Sequence, residues 1–224
     1  MSSQLDARAA ATAIAATSVY KPQHNDHIIN NKMNKPLRQI GIAYNSQISA
    51  AYPLSEKIGN FLERLDAQIV VLCPIQEKTL RNCITENSLD ALIILGGDGT
   101  MLRASHLCAA AEVPIVGINL GNFGFLMELQ PNEWKDMLPR LLEGDYRLEM
   151  RMLLRAEHIR SDKALSSSLV VNEVVVCRGQ HVRPIRLETE VDGAHMASYV
   201  ADGVIAATLA LFGEMAEAAA ADGA

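Results

Sequence analysis

The run Leu92-Ile93-Ile94-Leu95-Gly96-Gly97-Asp98-Gly99-Thr100, resumed by Met101-Leu102-Arg103-Ala104, constrains this chain more than any other stretch. Four branched apolar residues in succession leave no polar face, so they read as a strand buried on both sides. The glycines around one aspartate then read as a tight turn that opens a helix. Glycine removes the Cβ and permits positive φ, and a helix start offers unpaired N–H groups, so such a turn lets backbone approach a phosphate. Asp98 is the only charge in the turn and is therefore the candidate for chemistry. The competing reading is that Asp98 caps the helix, as aspartate often does.

The flanking sequence supplies the partners that a buried strand needs. Arg38 to Asn45 alternates and breaks at a polar loop, which predicts a first strand. From Ala51 to Leu65 apolar residues recur at helical spacing, followed by a strand from Gln68 to Cys73 that Pro74 ends. A helix over Glu77 to Glu86 leads to the Ala91-to-Leu95 strand. Beyond the glycine turn, Met101, Leu102, Leu107, Cys108 and Ala111 mark a packed helix, and Ile115 to Asn119 the next strand. That strand opens into a second glycine-rich turn, Leu120 to Leu126, at the sheet edge where ligands of open α/β folds collect. Pro131 to Glu143 predicts a helix with Trp134 as a core or interface anchor. Strands alternating with helices imply an α/β domain with a parallel sheet covered on both faces.

After Gly144 the pattern changes to alternation. Met152 to Arg160, Leu169 to Cys177, Ile185 to Val191 and Ala194 to Ala201 read as strands, with Ser166-Ser167-Ser168 in a connection and Asp192-Gly193 as a hairpin turn. Asn172-Glu173 interrupts an otherwise apolar stretch, where a buried amide and carboxylate need partners. This is a second, β-rich region.

Composition bounds the function. The 224 residues, 49% of them hydrophobic, suffice for a sizeable core, and a formal charge of −6 argues against nucleic-acid binding through a broad basic surface. A small anionic ligand remains compatible, because a few arginines suffice locally. The four cysteines show no C-x-x-C pair and read as reduced core thiols. No stretch has the apolar length of a membrane span and residues 1 to 20 lack a secretory pattern, so the expectation is a soluble, intracellular protein without membrane partners. Residues 1 to 36 read as a disordered extension, in which the spacing of His24 and His27 reflects solvated coil rather than a metal pair.

There is neither a P-loop nor a G-x-G-x-x-G fingerprint. Gly96 to Thr100 instead resembles the signature of a superfamily of kinases that includes NAD kinases, lipid kinases and phosphofructokinases. Within it the chain is similar to the NAD kinase family, because Asn119 to Leu126, Asn172-Glu173-Val174-Val175, Asp192-Gly193 and Tyr199 to Ile205 match that family's motifs in order and spacing. The resemblance covers Leu37 to Thr208, and the downstream glycine-Asn-Asp pattern of the lipid kinases is missing.

This resemblance implies phosphorylation of the adenosine-ribose 2′-hydroxyl of NAD to give NADP, with ATP or polyphosphate as donor and a divalent metal such as Mg. Asp98 would accept the hydroxyl proton or orient it with the metal. Gly97, Gly99, Thr100 and Arg103 would contact nucleotide, and so would Asn172, Glu173, Asp202 and, as a weaker positional match, Arg183. It implies a homo-oligomer too, since Asp202 often reaches a neighbouring subunit in that family. The structural alternatives are a surface arginine for Arg103 and Arg183 and hairpin capping for Asp202.

One departure stands beside the match. The family continues after Thr208 as Pro-Thr-Gly-Ser-Thr-Ala-Tyr, whereas this chain reads Leu209-Ala210-Leu211-Phe212-Gly213-Glu214-Met215. The expected division is an extension over 1–36, an α/β domain over 37–148, a partial β-rich NAD-binding domain over 149–208 and a divergent alanine-rich tail over 209–224. A second hypothesis follows: a truncated, non-catalytic chain that at most binds nucleotide or assembles with other subunits.

Overall fold

The computed structural model describes residues 12–18, 35–121, 126–149, 151–180 and 182–208. They divide into two compact units, one containing 35–149 and the other containing 12–18 with 151–208. The His24 and His27 pair, residues 122–125 of the second glycine-rich turn, and the tail over 209–224 lie outside the described residues.

In chain order the elements are strand β1 (Thr12–Ser18), strand β2 (Gln39–Tyr44), helix α1 (Ala51–Glu63), strand β3 (Gln68–Pro74), helix α2 (Lys78–Thr85) and strand β4 (Ala91–Gly96). Helix α3 (Asp98–Cys108), strand β5 (Ile115–Asn119) and helix α4 (Trp134–Glu143) complete the α/β unit. Six further strands follow: β6 (Leu154–Arg160), β7 (Lys163–Val170), β8 (Glu173–Cys177), β9 (Ile185–Val191), β10 (Ala194–Ala201) and β11 (Gly203–Ala207).

In the α/β unit β2, β3, β4 and β5 form a parallel sheet in the order β3-β2-β4-β5. The apolar run in β4 is buried throughout, as its lack of a polar face requires. Ala91, Ile93 and Leu95 enter one core with Ile58 and Leu62 of α1 and Trp134, Leu138 and Leu142 of α4. Leu92 and Ile94 enter the other, with Leu80 and Ile84 of α2 and Met101, Ala104 and Cys108 of α3. Successive side chains of a strand point to opposite faces, so one five-residue run nucleates both layers. Trp134 is an anchor between helices: its ring meets Phe61 edge-on, with centroids 5.2 Å apart. The base of the sheet is fastened by Asp90, which accepts hydrogen bonds from the N–H groups of Arg38 and Gln39, each at 2.9 Å, and from Lys35 Nζ at 3.2 Å. Burial pushes this carboxyl up, but the two N–H groups and the Lys35 ammonium together hold it below the usual carboxylate range.

The β-rich unit consists of a three-stranded sheet β1-β6-β7 and two antiparallel pairs, β9 with β10 and β8 with β11. Three expectations need correction. Thr12 to Ser18, inside the stretch read as a disordered extension, form β1 in continuous register with Leu154 to Arg160. The alanine-rich sequence has no periodicity of its own; the ladder comes from a strand far along the chain. Ser166 to Ser168 lie within β7, not in a connection, because the reversal is made earlier by Ser161 and Asp162, both at positive φ. The expected strand over Leu169 to Cys177 is broken by a bend at Val171 and Asn172. Asn172 is therefore half-buried and Glu173 exposed, and no carboxylate is buried at this point. The Asp192-Gly193 hairpin forms as expected, with φ of 52° and 78° at the two central positions.

Candidate functional site

Strand order decides where a ligand can approach. The connection from β2 leads outward to β3, while β4 lies on its other side and leads on to β5. The chain therefore diverges at the carboxyl ends of β2 and β4, which is the crevice where open α/β sheets bind ligands. The end of β4 is tied to the segments on both sides of it: Asn45 N–H, after β2, donates to Leu95 O at 2.9 Å, and Leu120 N–H, after β5, to Gly96 O at 2.6 Å.

A cleft of about 280 Å³ opens there. One wall is Asn45, Gln47 and Ile48 of the loop after β2, and the other is Gly97, Gly99, Thr100 and Arg103, with Gly121 at the end. The Asn45 side chain shapes its loop by accepting from Gln47 N–H at 3.0 Å. An adjoining depression of about 510 Å³ shares Gly121 and Asn119 with the β5 edge and is walled by Pro53, Leu54 and Lys57 of α1 and by Gln130 and Pro131. Arg103 and Lys57 are exposed cations, and among the described residues neither lining contains a carboxylate. Such an opening suits an anion.

The glycines act differently from the expectation of positive φ. Gly97, the residue before α3, is extended at φ −127°, and neither it nor Gly99 adopts positive φ. What they provide is clearance: among the described residues a Cβ built on either meets no atom within 4 Å, so each leaves its backbone bare. Gly96 has the opposite role. A Cβ there would lie 2.6 Å from Thr100 Cβ, so its absence lets the buried Thr100 fold back against the end of β4.

Asp98 is the first residue of α3, and Gly97 occupies the cap position before it. The Asp98 carboxylate reaches across to the segment after the second turn, where Leu126 N–H donates to Oδ1 at 3.2 Å. It is half-buried and does not line the 280 Å³ cleft. The glycine backbone thus opens into the cleft while the carboxylate is fixed by a different part of the unit.

Sequence-predicted residues in the β-rich unit do not form one cluster. Asn172 O accepts from Thr208 N–H at 2.7 Å, and Glu173 pairs with Ala207 at one end of the β8–β11 ladder. Asp202 stands at the other end, past Gly203 and Cys177, and pairs with Arg178 at 3.0 Å. Five residues of ladder separate the two ends by roughly 13 Å. Arg183 is exposed in the connection before β9. Sequence reading missed Asn45 and Gln47; the signal was the polar loop after the first strand, which gains meaning only once strand order is known. The four cysteines are free, and burial pushes the Cys108 thiol up to about 12.

Residues 17–146 match the family model for the ATP-NAD kinase N-terminal domain. An NAD kinase of Moorella thermoacetica is 37% identical over 177 residues, covering 75% of this chain and 56% of the relative. One of Heliobacterium modesticaldum is 34% identical over 173 residues, 74% of this chain and 60% of the relative. One of Geotalea daltonii is 42% identical over 119 residues, 53% of this chain and 42% of the relative. The chain thus spans about half the length of the relatives it matches. Among solved structures, yeast NADH kinase complexed with NADH superposes with a TM-score of 0.66 at 20% identity, over 91% of this chain and 66% of that one.

Proposed function

The chain belongs to the NAD kinase family, and from that premise we propose that it transfers the terminal phosphoryl group of ATP to the adenosine-ribose 2′-hydroxyl of NAD, giving NADP and ADP. The observation that carries this reading is the division of the glycine turn: bare backbone at Gly97 and Gly99 lines a cleft beside the exposed Arg103, while the intervening Asp98 is held by Leu126 N–H. Donor phosphates lie in the cleft against Gly97, Gly99 and Thr100, with Arg103 neutralising charge. The acceptor hydroxyl faces Asp98, which takes its proton as the oxygen bonds to phosphorus and the bond to the departing ADP breaks. Phosphoryl transfer relies on placement and charge neutralisation, so one placed carboxylate suffices.

A divalent metal, Mg in this reading, supplies neutralisation of the phosphates when bound. Among the described residues no group of three or more His, Cys, Asp or Glu side chains is arranged to hold a metal ion. That fits Mg, which is commonly held by one or two carboxylates together with substrate phosphates and water. Asp98 is the carboxylate available for that contact. Within the β-rich unit itself, Asn172 and Glu173 at one end of the β8–β11 ladder, Asp202 at the other and Arg183 in the connection before β9 are taken as nucleotide contacts. Polyphosphate is the alternative donor, and the setting is cytoplasmic NADP biosynthesis. A homo-oligomer is part of this reading, with the exposed Met196 and Val200 of β10 as candidate contacts.

The test is NADP formation by purified protein with NAD, ATP and Mg, run beside Asp98→Asn. We expect wild-type turnover and a loss of about 10²–10⁴-fold in kcat in the variant, the range typical of removing a general base. Equal turnover by the two removes Asp98 from the chemistry. A folded wild type that forms no NADP returns the chain to the nucleotide-binding alternative.

A further inference from the structure

The segment after Leu126 runs beside β5 as a short parallel extension of the sheet. Ile118 bridges Leu129, Asn119 N–H donates to Leu129 O at 2.8 Å, and Leu129 N–H donates to Gly117 O at 2.9 Å. The next rung of such a ladder would place a backbone carbonyl on Gly117 N–H. Instead Gly117 N–H donates to the Glu128 carboxylate, at 2.6 Å from Oε2. A short, charge-assisted bond of this kind is about twice as strong as its neutral counterpart. It replaces the carbonyl that Met127 would have supplied, so that the ladder begins only at Leu129. Three residues before Leu129, Leu126 N–H donates to Asp98 Oδ1 at 3.2 Å.

The absence of a side chain at Gly117 serves the same arrangement. A Cβ there would lie 2.9 Å from Met101 Cε, 2.9 Å from Met127 Sδ and 3.0 Å from Glu128 Oε2. Helix α3 and the Glu128 segment therefore converge on one bare backbone position. Asp98 is at the start of α3, and its hydrogen-bond partner Leu126 is at the start of the segment. Anything that shifts the segment shifts the donor on Asp98.

We propose that Glu128 is a positioning residue: its bond to Gly117 N–H sets the path of the 126–129 segment and thereby fixes the Asp98 carboxylate. The catalytic consequence rests on the reading of Asp98 as the proton acceptor, whereas the geometric part does not. Two readouts on the full-length protein keep them apart. In amide NMR spectra, E128A moves the Leu126 resonance in the same direction as D98N and speeds Gly117 exchange, while Ile93 and Ile94 in β4 keep their protection and report an intact fold. In NADP formation, E128A lowers kcat about 10–100-fold, the scale at which small misplacements act. The KM for ATP stays within about threefold, since Glu128 does not line the cleft. E128Q, which keeps an acceptor oxygen, recovers at least about tenfold of the lost kcat. Should E128A not fold, E128D, too short for Gly117 N–H, carries the same expectations.

A Leu126 amide left at its wild-type position in E128A overturns the proposal. So does an E128A enzyme with wild-type kcat, or one whose entire loss lies in KM. If D98N turns over like the wild type, the reading of Asp98 fails, and the Leu126 and Gly117 amides alone decide whether Glu128 sets the segment.

Discussion

In the α/β unit every residue of β4 is buried, and its side chains alternate between two cores. In the β-rich unit six of the eight residues of β10 are exposed, and among residues whose side chains are described only Leu154, Val171 and Thr208 are buried. The first unit draws stability from apolar burial, the second from ladder hydrogen bonds and tight turns, which contribute less per residue. A cleft needs walls that do not move, and the walls described here, Asn45 to Ile48 and Gly97 to Arg103, both grow from strands of the buried sheet. The Asn172 and Asp202 positions sit instead on a two-stranded ladder.

The contrast breaks most directly at Leu138, which is fully buried in the core beneath α4. Leu138→Ala is expected to cost about 2–5 kcal/mol in urea unfolding, the range for such truncations. A loss under 1 kcal/mol would mean that this core does not carry the unit.

Asp90 offers a smaller and pH-dependent effect. Its carboxyl is held low in the folded chain by two N–H groups and Lys35, despite the opposing effect of burial. The stability it contributes is therefore present above the unfolded carboxyl pKa, near 3.9, and is lost as pH falls through the lower folded value. Asp90→Ala should cost about 1–3 kcal/mol at neutral pH. The deficit relative to wild type should shrink in acid; a deficit independent of pH would assign it to packing.

Gly99→Val sharpens the site rather than the fold. Among the described residues the added Cβ meets no atom within 4 Å, so stability should stay within about 1 kcal/mol while ATP affinity falls at least about tenfold. Unchanged affinity would place the phosphates elsewhere. The smallest effect belongs to Val200, exposed on β10: Val200→Ala in the isolated chain should change unfolding by no more than about 0.5 kcal/mol. A larger loss would reveal packing on that strand and weaken the contrast.

Legibility followed the same division. The β4 run and its glycine turn could be read from sequence because burial on both faces leaves one pattern of residues, and every helix and strand of the α/β unit was found within a few residues. The break at Val171 and Asn172 was hidden, since β-branched residues continue on either side of it. The β1 strand was missed because its partner, β6, lies more than a hundred residues away in the chain. At the site, Asp98, Gly97, Gly99 and Arg103 were visible as a motif, whereas Asn45 and Gln47 are ordinary loop residues until strand order places them opposite. Of the two reasons for glycine in the turn, the missing Cβ holds at Gly97 and Gly99 and positive φ does not.

The central claim is that the crevice between β2 and β4 takes the donor phosphates. Titrating Mg-ATP into the isotope-labelled 224-residue chain and following backbone amides is the direct test. The largest shifts are expected at Asn45, Gly97, Gly99 and Gly121, with the β9–β10 pair unmoved; saturable shifts that leave those four in place would place the phosphates elsewhere.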